Sequence, residues 1–146
     1  MRGSMLKIAL LTLALGPLGC GKMKKTQECN AFIDKVNTSL PEIQKAANTN
    51  SDDPKASAAA MRKVAELYDK LGTDISGQEI GTEELKKFST EYNQMCSKAS
   101  SAAKKVAEAF ETSDLAKAES AKKELDEVEK QEDTLVDSIN KFCQTP

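Results

Sequence analysis

The side chains with the most chemical reach in this 146-residue chain are four cysteines, Cys20, Cys29, Cys96 and Cys143, and 23 acids, with no histidine beside them. Without histidine, a His-ligated haem, a Glu-x-x-His di-iron centre, a histidine-based triad and most zinc catalysis are excluded. The acid-rich runs Glu124–Glu127 and Glu129–Asp133 lack the glycine-centred loop that calcium sites use, and helical spacing spreads them around an outer face. No glycine-rich phosphate loop follows a strand pattern. No nucleophile–base pair stands out, so neither enzymatic activity nor a metal or cofactor is expected. The chemistry left is that of thiols.

The elements that position those thiols begin with a segment of another kind. Arg2 and Lys7 lead into an apolar run ending at Leu15, Gly16-Pro17 breaks it, and small Gly19 stands directly before Cys20. These are the basic, apolar and cleavage regions of an export signal. The run is about half the ~20 residues a membrane-spanning helix needs, so it predicts export and no permanent span. With a cysteine at the cut, the segment resembles that of bacterial lipoprotein precursors, whose cysteine sulfur carries a diacylglyceryl group. Where that family usually has Leu three positions before the cysteine, this chain has Pro17. The resemblance implies a cleaved signal peptide over 1–19, lipidation of Cys20 and a membrane as partner. Because Gly21 and not Asp follows Cys20, it also implies the outer membrane over the inner. Residues 20–28 read as a flexible tether in which Lys22, Lys24 and Lys25 either lean on anionic headgroups or stay solvated.

Residues 29–146 suffice for one domain. Aromatics make up only 4% and there is no Trp, whereas charged residues make up 30%. Thin helical layers with Ala, Leu, Val and Ile in the seams suit that composition. Losing Arg2 and Lys7 leaves the rest more acidic than the formal −2 of the whole chain, which offers nucleic acid no basic footprint. Phe32, Ile33, Val36, Leu40 and Ile43 keep a helical period, which Pro41 should kink. Asp53 and Pro54 open a second helix as cap and first residue. It carries Met61, Val64, Leu67, Tyr68, Leu71 and Ile75, and should stop between Gly72 and Gly77. Thr82 caps a third helix, with a seam at Leu85, Phe88, Tyr92, Met95, Ala99, Ala102, Val106 and Ala109. After a turn at Glu111–Asp114, a fourth continues through Ala121, Leu125, Val128, Glu132, Leu135, Ile139 and Phe142. No segment alternates as a strand would. The pattern predicts an all-α, antiparallel up-down-up-down four-helix bundle.

With Cys20 assigned to lipid by the resemblance, Cys29, Cys96 and Cys143 remain for oxidation in an exported chain. In such a bundle Cys29 and Cys143 share one end, while Cys96 lies about 20 Å up the third helix. A cystine needs Cα atoms within about 7 Å, so the expected pair is Cys29–Cys143. Cys96 is then a small buried hydrophobe or the bridge of a dimer; otherwise the chain is a monomer. Glu132 interrupts the fourth seam. Either local rotation turns it outward, or it makes a register-fixing contact, level with Leu40-Pro41 when counted back from Cys143. The third and fourth helices are the longer pair, so their tip, with Phe110 and Leu115, should protrude about 15 Å beyond the first two. There Phe110 and Leu115 cap their own seam or meet a partner.

Two function classes follow. One is a non-catalytic anchored module that binds another envelope protein or acts as a spacer. The other is a binder of a small apolar ligand or lipid in the bundle interior.

Overall fold

Short-range periodicity and capping residues build four helices in the computed structural model, which describes residues 20–49 and 51–145. Residues 1–19, read above as an export signal, lie outside the described residues. α1 spans Cys20–Ala47, α2 Pro54–Ser76, α3 Glu83–Thr112 and α4 Leu115–Gln144. No strand occurs among the described residues, which form an all-α four-helix domain.

α2 and α3 run in opposite directions, since Arg62 meets Glu111 (2.8 Å) and Asp69 meets Lys104 (2.9 Å). So do α3 and α4, where Lys105 meets Glu124 (2.7 Å) and the Phe88 ring lies 5.8 Å from that of Phe142. Twelve of the 30 residues of α3 are buried against four of the 30 in α4, so α3 is the central element and α4 a peripheral one. The third-helix seam is buried except for half-buried Phe88. Beside it runs a second stripe of small residues, Ser89, Cys96, Ser100, Ala103 and Ala107. Gly72 of α2 packs against this stripe at Cys96. The second helix runs through Gly72 and ends at Ser76, with Gly77 as its C-cap, inside the range expected from the two glycines. A Cβ at Gly72 would sit 3.1 Å from Asn93 Oδ1 and 3.2 Å from Cys96 Cβ, so this glycine lets α2 and α3 approach closely. That contact offsets its helix-propensity cost of about 1 kcal/mol.

Local chemistry sets most helix ends. Asp53 Oδ1 accepts from the Lys55 amide with Pro54 in the first turn, and Asp114 Oδ1 accepts from the Lys117 amide. Ser113 takes the left-handed conformation (φ 53°), and the next amide, of Asp114, closes back on the Ala109 carbonyl. α1 runs through Pro41 without ending.

Three expectations are corrected. Thr82 precedes α3 but its hydroxyl makes no capping bond. Thr82 keeps the N-cap position, and the Glu28 carboxylate of α1 holds the backbone leading into it, accepting the Gly81 amide (2.8 Å) and the Thr82 amide (3.0 Å). Residues 20–28 are helical and not a flexible tether. Good helix formers between Lys22 and Glu28 are held there by tertiary contacts. Lys25 Nζ donates to the Thr145 carbonyl at 2.7 Å and lies 4.2 Å from the centre of the Phe142 ring. Finally, the α3–α4 tip does not protrude. Arg62 is level with Glu111, and α2 begins eight residues further out at Pro54, about 12 Å beyond. The cause is the connection 77–82. It sets the end of α2, Ser76, beside Asn93, so α2 is displaced toward the tip along α3.

Cys29 and Cys143 are joined, with Cα atoms 5.8 Å apart and 114 residues of separation. Closing so long a loop removes entropy from the unfolded chain. Replacing both cysteines by Ser should lower stability by on the order of 4–5 kcal/mol, read as the shift of a urea unfolding midpoint. A shift equivalent to less than about 1 kcal/mol would show that the other contacts of this end hold it without the bond.

Candidate functional site

Polar groups gather in the interior where α3 and α4 meet. Val128 and Ile139 define the buried stripe of α4, and Glu132 lies one turn from Val128 on the same face. Glu132 is therefore 3% exposed, and the outward rotation expected from sequence does not occur. Its Oε1 accepts from the Tyr92 hydroxyl at 2.7 Å, while Oε2 has no partner. The contact is to α3, not to Leu40-Pro41. Counting outward from the Ser113–Asp114 turn puts Glu132 opposite Met95, one turn from Tyr92, so the hairpin carried a signal that counting from Cys143 missed.

The groups bearing on this carboxyl are Tyr92 and Cys96 of α3, Tyr68 of α2, and Glu129 and Asp133 of its own helix, none of them cationic. Burial pushes its pKa above the ordinary 4.5; the Tyr92 hydrogen bond opposes this, and Asp133 and Glu129 reinforce it. Burial likewise raises both tyrosines, with Glu132 adding to each. Chemically, the cluster can take up and release a proton. Cys96 is free and 1% exposed. Burial, with Glu132 and Asp69 adding, pushes its thiol up to about 12, so it is protonated and unreactive at neutral pH. It packs as a small hydrophobe, and a bridge through it to a second chain would require α2 and α3 to part.

At the cystine end, partial burial favours the neutral form of Glu28. The hydrogen bonds from Thr82 and Gly81 and the charge of Lys24 outweigh that, so its pKa falls below 4.5. Met23 (47%) and Leu115 (84%) are the exposed large hydrophobics of the described residues, one at each end of the domain. Phe110, beside Leu115, is half-buried. An open groove of about 520 Å³ crosses α3 and α4, with Met95, Lys98, Gln131 and Leu135 among its walls. No group of three Cys, Asp or Glu among the described residues is arranged to hold a metal ion.

The two carboxyls oppose each other in pH. The folded state holds the Glu132 proton more tightly than the unfolded chain does. Stability therefore falls as pH rises from about 4.5 through the folded value. The contribution of Glu28 is present above about 4.5 and is lost as pH falls through its lowered value. Glu132→Gln keeps an acceptor for Tyr92 and removes the titration. It should be more stable than the parent at alkaline pH, by on the order of 1–3 kcal/mol, with the gap closing toward acid. Parallel stability–pH curves for the two proteins would contradict this.

Compared with known protein families, characterised proteins and solved structures, the chain matches none.

Proposed function

We propose that this chain is a membrane-anchored bacterial lipoprotein, exported, cut before Cys20 and acylated there, with a non-catalytic helical domain in the cell envelope. The observation that carries this reading is the Gly19-Cys20 pair closing an apolar run that follows Arg2 and Lys7. The Cys29–Cys143 cystine supports export, because such bonds persist in oxidising compartments. No helix among the described residues is long and apolar enough to cross a membrane, so in this reading attachment depends on the acyl chains. Gly21 in place of Asp after the cysteine favours the outer membrane.

The domain acts as a structural or protein-binding module, and its exposed Leu115 with neighbouring Phe110 is the surface offered to another envelope protein. A ligand in the bundle interior has less behind it. Ala99, Ala103 and Ala107 on α3 are wholly buried, and such small residues draw helices together.

Intact mass of the protein extracted from membranes should show an N-terminus at Cys20 with diacylglyceryl mass. Cys20→Ser should lose that mass and move the protein to the soluble fraction. A different N-terminus without acyl mass would end the lipoprotein reading. For the tip, Leu115→Ser should abolish an envelope cross-link seen with the parent while leaving the helical signal unchanged; equal cross-linking would count against Leu115 as a contact.

A further inference from the structure

α1 has no break between Cys20 and the body of the domain. It is helical from Cys20 to Ala47, and its second and third turns are tied to the rest at three points. Lys25 is fixed by the Thr145 carbonyl and the Phe142 ring, Glu28 by the Gly81 and Thr82 amides, and Cys29 by Cys143. At 1.5 Å per residue, Met23 lies about 4–5 Å and Cys29 about 13–14 Å along the helix from Cys20. α3 starts at the level of Glu28 and runs about 45 Å to the tip. A lipid on Cys20 would therefore hold this end of the domain at the bilayer, with Leu115 about the length of α3 away from it.

The surface nearest Cys20 suits that position. Met23 is 47% exposed, between Lys22 and Lys24, which are exposed as well. An apolar side chain flanked by lysines is the arrangement of an interfacial segment. The thioether enters the boundary of the acyl chains while the ammonium groups stay with the phosphates. Lys25 is already engaged, but the Lys24–Glu28 pair is long at 3.9 Å, with the lysine 63% exposed, so Lys24 can turn to a phosphate. Glu28 keeps its two amides when it does. Glu83 and Glu84 at the same end are paired with Lys86 (2.6 Å) and Lys87 (3.1 Å), which mutes their repulsion of an anionic surface.

We propose that the first two turns of α1 form a foot on an anionic phospholipid surface. Met23 dips into the headgroup boundary, Lys22 and Lys24 bind phosphates, and the bundle stands on its cystine end as one rigid body. This rests on the acylation of Cys20 proposed above.

The chain has no Trp, so a single introduced indole reports its own surroundings. Met23→Trp and Leu115→Trp proteins, expressed at full length and extracted from membranes, are reconstituted into phosphatidylglycerol vesicles containing a headgroup-nitroxide lipid. Met23→Trp emission should shift to the blue and fall at least about twofold, while Leu115→Trp emission stays as it is without nitroxide. Adding Lys22→Glu and Lys24→Glu to Met23→Trp should weaken the quenching. If Met23→Trp loses its helical signal, Gln27→Trp, exposed one turn further along the same face, replaces it with quenching in the same direction. Acyl mass on Cys20 with an unquenched Met23→Trp overturns the foot and leaves the lipoprotein reading standing. Equal quenching at both ends overturns the standing orientation. Absence of acyl mass overturns both.

Discussion

Within about one turn of α1, Lys25, Glu28 and Cys29 reach the end of α4 and the start of α3. The placement of α1 against α4 depends on this clamp, because these two helices have few contacts with each other and α4 buries only four residues. Its parts act by different physics. The cystine lowers the entropy of the unfolded chain. Glu28 places negative charge at a helix N-terminus, where the macrodipole and unpaired amides favour it. Lys25 caps the carbonyl end of α4 and lies over an aromatic face. Together they turn the expected leash into part of the folded body.

Tyr92 does a related task in the interior. Its ring packs edge-on against Phe32 of α1, with centroids 5.8 Å apart, and its hydroxyl holds Glu132 of α4. One wholly buried side chain of the central helix thus ties together α1 and α4, which have little contact with each other. The cost is a buried carboxyl with one unpartnered oxygen. On the α2 side the same helix sets Cys96 and Asn93 against Gly72, where the missing side chain permits a close approach. α3 is therefore asymmetric, with a buried tyrosine–carboxyl pair toward α4 and small residues flanked by exposed ion pairs toward α2.

Much of this was legible in the chain. Apolar spacing identified the four helices and the seam of α3 from Leu85 to Ala109. Asp53-Pro54 marked the start of α2, and the shared end of first and last helices paired Cys29 with Cys143. The small-residue stripe through Ser89, Cys96, Ser100, Ala103 and Ala107 was present too, at regular helical spacing. A search for large apolar residues passes over it, as it passes over Gly72, which the fold uses as a point of contact. Glu132 sat visibly on a seam, but its partner depended on which end of the bundle was used to count register.

Helix type, seam and most caps are decided by residues within a turn or two of one another, and the sequence by itself determined these. How far each helix slides along its neighbour was decided only by tertiary structure. An amphipathic helix moved by a heptad presents nearly the same face, so the hydrophobic pattern is almost indifferent to such a shift. What selects one register is contact between residues distant in the chain. Gly72 against Cys96, Tyr92 against Glu132 and Glu28 against the Gly81 and Thr82 amides make that selection here. They set α2 toward the tip, turned Glu132 inward and drew the residues after Cys20 into α1.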